Sequence, residues 1–183
     1  METPKERKLF FTRDVDADSI AELTENIVKI NDHDRYLEGL YKLHNQEYKP
    51  QPIEIFIDSY GGSVYQCLGL LGVMEHSITP IHTIVTGCAM SCGFMMLISG
   101  HKRFAYRLAT PMYHQISNGV WGKIEDFEIE MDEMRRLQDI FESETLDKTK
   151  ITRKKLKEIR KTKTDWFMNA DEALKLGVID EII

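Results

Sequence analysis

Strand-like and helix-like segments alternate along this chain, and that alternation limits the folds open to it more than any other feature. Alternating or continuous apolar runs predict strands at Lys8–Thr12, Ile53–Ile57, Ile81–Val85, Arg103–Tyr106 and Met112–Gln115. Apolar residues at helical spacing predict helices at 20–30, 64–75, 91–99, 124–144 and 153–161. A short helix capped by Asn169 and closed by Gly177 follows, and we expect Val178 and Ile179 after it to end a strand. Strands that alternate with helices indicate an α/β fold, and we expect 1–183 to form a single domain.

Composition excludes several classes of function. The net charge of −6 argues against a nucleic-acid binder, which usually carries a basic face. No apolar run is long enough for a membrane span, and the charged start lacks a secretory signal. No HExxH, CxxC or phosphate-loop pattern occurs, so we expect neither metal nor cofactor. Three cysteines without a paired pattern fit a reducing compartment, so we expect a cytoplasmic protein of bacterial or viral origin.

The segment Thr86–Leu97 contains a serine, Ser91, between a turn of small residues and an apolar helix. In one interpretation Ser91 is an ordinary helix N-cap, whose oxygen accepts a backbone N–H. In the other it is a nucleophile, because the N–H groups at a helix start favour an oxyanion nearby. On this segment alone the N-cap is the better interpretation. We also expect Gly100 to end this helix in the left-handed conformation.

Two further segments have both an ordinary and a functional interpretation. Gly61 and Gly62 follow a predicted strand, either as a simple turn or as backbone that approaches a substrate. His114 stands in a strand-like stretch, either as a core residue or as a base; His33, His44, His76, His82 and His101 are its competitors. Cys92 is a minor candidate nucleophile, although packing is the better explanation for Cys88 and Cys92. The polar stretch 31–52, with a partial helical stripe of leucines, has no clear pattern.

Taken together, these segments resemble the proteolytic subunit family of the Clp protease. The family's Asn/Asp-Ser-Pro-Gly-Gly turn is matched by Asp58–Gly62, and its Gly-x-Ala-x-Ser-x-Gly segment by Gly87–Gly93. Its histidine segment is matched by Met112–Gln115 and its acid segment by Asp165–Ala173. The match ends with Leu-Gly-x-apolar-Asp at Leu176–Asp180. Four motifs in the family's order outweigh the ordinary interpretation of each.

The resemblance implies a serine endopeptidase with Ser91, His114 and Asp165 as its catalytic triad. It places the oxyanion donors on the backbone N–H groups of Gly62 and Cys92. It implies the spiral of ββα units shared with crotonases, with a projecting handle at about 118–162. It also implies a homo-oligomer of stacked heptameric rings that degrades peptides or unfolded proteins, with an AAA+ unfoldase as partner.

The chain departs from the family at several positions. Tyr60 replaces the usual proline of the turn, and Met90 and Phe94 are bulkier than the usual residues beside the nucleophile. Only Met1–Arg7 precede the first strand, where the family has longer axial loops, and the family's C-terminal tail is absent. We therefore expect docking to a ring ATPase to differ from the family's.

Three rival functions remain open at this stage. A crotonase-like acyl-CoA enzyme would share the fold, but crotonases work mainly through carboxylates. A non-catalytic ring subunit would typically lack triad members, all of which are present here. A phage capsid-maturation protease would keep the same chemistry with a different biological use.

Overall fold

The structure, a computed structural model, describes residues 6–117 and 124–183. The first five residues and the first part of the predicted handle, 118–123, lie outside the described residues. The strands are β1 (Lys8–Phe11), β2 (Ile53–Ser59), β3 (Ile81–Met90), β4 (Lys102–Ala105), β5 (Thr110–Tyr113), β6 (Trp166–Phe167) and β7 (Glu181–Ile182). The helices are α1 (Ala17–Leu43), α2 (Val64–Glu75), α3 (Cys92–Ile98), α4 (Ile124–Lys148), α5 (Arg153–Thr162) and α6 (Ala170–Lys175).

A parallel sheet in the order β1-β2-β3-β4-β7 forms the centre of the fold. The long strand β3 changes partner along its length. Its first half pairs with β4, while Cys88–Met90 pair in parallel with β5. The two-residue strand β6, which the sequence did not predict, adds to β5 in the antiparallel direction. This branching brings the ends of β3 and β5 and the start of β6 to one place, and the α/β prediction is confirmed.

Helix α1 begins where the sequence predicts but is much longer than its apolar stripe. Asp16 caps it, because its carboxylate accepts the Ser19 N–H while the Ser19 hydroxyl accepts the Asp16 N–H. The buried face continues from Ile27 and Ile30 into two polar residues, Asn31 and Asp34. Part of the polar stretch 31–52 is therefore helical, up to Leu43.

A buried polar cluster fixes the far part of α1 to the sheet. Asp34, whose side chain is only 1% exposed, accepts hydrogen bonds from Arg7 (2.5 and 2.8 Å), Tyr48 (2.6 Å) and Thr79 (2.6 Å). Burial alone would raise the pKa of Asp34, but these three donors together lower it. The same cluster holds the segment after α1, because Arg7 also donates to the Gln51 carbonyl oxygen.

Helix α4 has two different halves. Residues 127–132 are all exposed, whereas Leu137, Gln138, Phe141, Glu142 and Thr145 are buried. The helix therefore packs on the core only at its C-terminal end. Ile129 is 71% exposed, whereas Ile140, in the C-terminal half, packs against the core.

Two local predictions are wrong. Gly100 has no positive φ; helix α3 ends on Ser99 in the right-handed conformation, and a Cβ on Gly100 would collide with the Thr83 side chain. Gly100 is therefore required by close packing and not by a left-handed cap. Val178 and Ile179, expected at a strand end, are buried in the turn before β7. Among the helices of the described residues, none combines the length and apolar character that a membrane crossing requires.

Candidate active site

Ser91 lies at the junction of β3 and α3 in a strained conformation. Its φ of 53° and ψ of −119° are unusual for a residue with a side chain. Its hydroxyl makes no capping hydrogen bond to α3, so the interpretation of Ser91 as an ordinary N-cap is wrong. A serine forced into a sharp strand-to-helix turn is typical of nucleophiles whose hydroxyl must face a substrate. The half-buried Ser91 side chain has this geometry.

The Gly61–Gly62 turn packs directly against this junction. Both glycines have positive φ, 100° and 147°. A Cβ on Gly61 would lie 2.7 Å from the Ser91 Cβ and 3.0 Å from the Cys92 nitrogen. The turn is held from behind by β-bridge hydrogen bonds, from Val15 N–H to the Gly61 carbonyl and from Ser63 N–H to the Val15 carbonyl, both 2.7 Å.

The bridge to Val15 uses the Gly61 carbonyl and the Ser63 N–H, the groups on either side of Gly62. The Gly62 carbonyl accepts the Cys92 thiol at 3.3 Å, so this edge of Gly62 faces the nucleophile segment. Cys92 is the first residue of α3, and its N–H therefore has no acceptor within the helix. The Gly61–Gly62 turn and the start of α3 thus both lie beside Ser91.

His114 and Asp165 come together through the pairing of β5 with β6. Tyr113 is opposite Trp166, so His114 and Asp165 occupy the next position of the same antiparallel register. The His114 Nδ1 lies 3.6 Å from the Asp165 Oδ1, and their side chains are 24% and 56% exposed. The distance is longer than a hydrogen bond. Asp165 is thus the acid that the fold brings to His114.

The backbone connects this pair to Ser91. The Ser91 N–H donates to the Met112 carbonyl at 3.1 Å, two residues before His114. Within the described residues, no hydrogen bond joins the Ser91 hydroxyl to the His114 ring. Catalytic hydrogen bonds are often long or poorly aligned in a protein without substrate and tighten when substrate binds.

The competing histidines have other surroundings. His101 Nδ1 accepts the Ile81 N–H at 3.0 Å, and His76 contacts the Gly72 carbonyl at 2.9 Å at the end of α2. His82 packs beside Phe104, and burial lowers its pKa. His33 lies within α1 and His44 ends it. Among the histidines of the described residues, only His114 directly follows β5, the strand whose Met112 carbonyl accepts the Ser91 N–H.

All three cysteines are free and buried. The Cys92 thiol is fully buried and faces the Gly62 carbonyl, away from solvent. The Cys67 thiol contacts the Cys92 carbonyl at 3.6 Å, and its hydrogen bonding with Cys92 together with burial raises its pKa. Burial, with nearby Asp58, raises the pKa of Cys88 to about 11. These are packing thiols, and no cluster suited to a metal ion occurs among the described residues.

A cavity of about 170 Å³ opens beside Gln115 and Ile116, the residues that follow His114, and α4 and α5 form its other walls. Its lining combines two thioethers with amides and guanidinium groups: Gln115, Ile116, Met131, Met134, Arg135, Gln138 and Arg160. The sequence did not indicate this cavity, because its walls come from segments far apart in the chain. It also did not indicate Val15, whose backbone supports the Gly61–Gly62 turn.

Comparisons with known proteins found relatives of this chain. The family model described as Clp protease matches residues 4–183. The ATP-dependent Clp protease proteolytic subunit of Deinococcus radiodurans is 36% identical over 137 residues, which are 73% of this chain and 65% of that protein. Proteolytic subunit 2 of Synechococcus sp. (strain CC9605) is 35% identical over 133 residues, 72% of this chain and 66% of that protein. The matched region spans slightly less than two thirds of the length of these relatives.

Proposed function

This chain belongs to the Clp protease family, and from that premise we propose that it is a serine endopeptidase with Ser91, His114 and Asp165 as its triad. One observation carries the proposal most strongly. Ser91 is held in a strained strand-to-helix turn with its hydroxyl free of capping, in close contact with the Gly61–Gly62 turn. A structural serine gains nothing from that conformation, whereas a nucleophile requires it. We take 1–183 as one catalytic domain in the reducing cytoplasm, consistent with its free cysteines.

The proposed reaction follows from the position of each group. The Ser91 Oγ attacks the peptide carbonyl carbon, and the His114 ring accepts the serine proton. Asp165 orients the His114 ring and stabilises its charged form. The N–H groups of Gly62 and Cys92 bind the oxyanion of the tetrahedral intermediate. His114 then protonates the leaving amine, and water hydrolyses the acyl-enzyme by the same steps.

The test uses serine and histidine variants with a matched serine control. We expect Ser91→Ala and His114→Ala to lower kcat for a short fluorogenic peptide by on the order of 10⁶, the scale of triad loss in subtilisin. A fluorophosphonate should label the wild type at Ser91 but not Ser91→Ala. Ser99→Ala is the control, because Ser99 ends the same helix and its buried hydroxyl has no partner among the described residues. Full activity in Ser91→Ala would overturn the assignment.

The cavity beside Gln115 and Ile116 is the proposed site for a substrate side chain. Two methionines give its wall an adaptable apolar surface, and its amides and guanidinium groups add polar contacts. The guanidinium of Arg135 is paired with Asp132 at 2.6 Å, and Arg160 lies 3.6 Å from both Asp139 and Glu142. Because its charges are balanced, the cavity supports broad side-chain preference more than selection for acidic residues.

We further propose that the chain assembles into stacked heptameric rings with the active sites facing an internal chamber. The exposed apolar residues in the first half of α4 support this, because such a surface is a liability in a monomer. In that assembly short peptides would enter freely and folded proteins would be excluded. Rapid degradation of a stably folded protein by the purified chain alone would contradict the chamber.

An AAA+ unfoldase is the proposed partner. The relatives' names include ATP dependence, yet no phosphate-binding loop pattern occurs in these 183 residues, so the ATPase must lie outside them. Phe10 is 62% exposed and stacks on Phe56, which leaves an aromatic surface on the outer side of β1 and β2. We propose this surface as the contact with the unfoldase. Degradation of a folded substrate only when unfoldase and ATP are both present would support the partnership; Phe10→Asp should reduce it while peptide hydrolysis persists.

A further inference from the structure

Gln138, on the buried half of α4, binds the chain segment that contains His114. Its side-chain Oε1 accepts the Ile116 N–H at 2.8 Å, two residues after His114. Its Nε2 donates to the Tyr113 hydroxyl at 3.2 Å, one residue before His114. The same Nε2 donates to Glu142 at 3.1 Å. Gln138 thus holds this segment on both sides of the proposed base.

The orientation of the Gln138 amide follows from its partners. The Ile116 N–H can only donate and the Glu142 carboxylate can only accept, so Oε1 and Nε2 have one consistent assignment. Gln138 is 3% exposed and Glu142 8% exposed, so water does not compete for these bonds. Removal of the amide would leave buried polar groups without partners, which is costly in a site shielded from water.

Tyr113 extends this connection to the other parts of the site. Its ring meets Phe94 of α3 edge to face at 5.6 Å, and Phe94 is the third residue after Ser91. Its backbone pairs with Trp166, the neighbour of Asp165. Tyr113 therefore contacts α3, which follows Ser91, β6, which follows Asp165, and α4.

We propose that Gln138 is a positioning residue for the proposed hydrolysis, which sets the place of the His114 imidazole through Ile116 and Tyr113. This inference rests on the proposed function. Gln138 touches no reacting atom; it fixes the backbone on which the base is mounted. The distance of 3.6 Å between His114 and Asp165 is too long for that pair alone to hold the ring, so a second restraint is needed.

The test is Gln138→Met, which keeps the length of the side chain and removes every hydrogen bond. We expect kcat for a short peptide to fall by about 10- to 100-fold, since small misplacements of a base have effects of this size. Because Gln138 also lines the proposed substrate cavity, KM should change too, but by a smaller factor than kcat. The rate of fluorophosphonate labelling at Ser91 should fall with kcat. Tyr113→Phe removes one hydroxyl outside that cavity, and we expect a loss of kcat of about two- to fivefold with KM unchanged.

Thr145→Val is the matched control. Thr145 is buried on the same helix, but its hydroxyl donates to the Phe141 carbonyl and does not reach the His114 segment. Its kcat should stay within about twofold of the wild type. Light scattering and thermal unfolding should accompany each assay. The inference would be overturned if Gln138→Met had the kcat of the wild type. It would also be overturned if Gln138→Met and Thr145→Val both lost kcat in proportion to their loss of thermal stability.

Two outcomes separate this inference from the proposed function. A wild type that hydrolyses no peptide would refute the proposed function and this inference with it. An active wild type with a fully active Gln138→Met would refute the inference alone. If Gln138→Met does not fold, Tyr113→Phe decides: an unchanged kcat overturns the inference, and a lower kcat at constant KM supports it.

Discussion

Gly61 lies so close to Ser91 that a Cβ on Gly61 would stand 2.7 Å from the Ser91 Cβ and 2.8 Å from the Met90 carbonyl oxygen. The φ of 100° at Gly61 adds a second restriction, because residues with side chains rarely adopt it. The turn before α2 and the turn before α3 are therefore fitted to each other. Neither can move without changing the surroundings of the proposed nucleophile.

Gly61→Ala should therefore inactivate the enzyme. The new methyl group must displace either the Ser91 turn or the Gly62 N–H, and loss of one oxyanion donor lowers kcat by on the order of 10²–10³. Peptide hydrolysis and circular dichroism, measured together, would separate inactivation from unfolding. Gly69→Ala is the control: Gly69 is an exposed residue of α2, and a Cβ there meets nothing within 4 Å. Normal activity in Gly61→Ala would show that the turn does not contribute to the site.

From the sequence, the importance of Ser91 and Gly61 could be inferred only through the resemblance to the Clp protease family. The reason for this is physical. A serine at a helix start has the same local pattern whether it caps the helix or faces a substrate. The two differ in backbone conformation, which depends on Gly61 and on the change of partner along β3. Strand β6 was not predicted because a strand of two residues shows no periodicity, yet it brings Asp165 to His114.

The thiols should not take part in catalysis. Cys67, Cys88 and Cys92 are all buried, and the pKa values of Cys67 and Cys88 are raised. Hydrogen bonding with Cys67 lowers the pKa of Cys92, but Cys92 is fully buried, so an alkylating reagent has no access to its thiol. We expect iodoacetamide at neutral pH to leave peptide hydrolysis within about twofold of the untreated enzyme. Mass spectrometry of the intact protein would report whether any thiol reacted. Loss of activity together with modification of Cys92 would revive the cysteine as nucleophile.

The long helix α1 shows a different limit of sequence interpretation. Its buried face continues from Ile27 and Ile30 to Asn31 and Asp34 at helical spacing, but the last two are polar. A search for apolar periodicity stops at Ile30 for that reason. The polar residues are buried because partners from elsewhere in the chain satisfy them, and those partners cannot be read from local sequence.

Asp34→Asn should destabilise the protein by about 3 kcal/mol at pH 7, because it leaves the Arg7 charge without its buried partner. The pKa of Asp34 is lowered in the folded protein, so the carboxylate stabilises the fold above its unfolded pKa of about 4. That contribution is lost as the pH falls through the still lower folded pKa. The difference in urea-unfolding free energy between wild type and Asp34→Asn should therefore be constant from neutral pH down to about pH 5 and shrink below about pH 4.

Tyr48→Phe is the matched comparison for Asp34→Asn. It removes one of the three donors to Asp34 and should lower the free energy of unfolding by about 1 kcal/mol. All unfolding curves should be taken at one protein concentration, since assembly contributes to apparent stability. If the difference in unfolding free energy between wild type and Asp34→Asn grew as the pH fell, the assigned charge state of Asp34 would be contradicted.

The prediction about assembly concerns the first half of α4. Phe127, Ile129 and Met131 are exposed in the single chain, on a helix of 25 residues that extends for about 37 Å. The buried half beyond Leu137 fixes the helix to the core, so its exposed half is available to another subunit. Replacement of both Met131 and Met134 by Asp should split the assembly into single rings or smaller species, because a charge buried between subunits has no partner there.

Activity should fall in the same variant, because His114 and Asp165 lie on either side of α4 in the sequence and the cavity beside Gln115 and Ile116 shares Met131 and Met134. Sedimentation would give the size, and Leu43→Asp, the same change at a helix residue that is 79% exposed, is the control. Ile129→Asp separates the effect on assembly from the effect on the cavity, since Ile129 is 71% exposed and does not line that cavity. A wild type that is fully active as a 21.3 kDa monomer would rule the rings out.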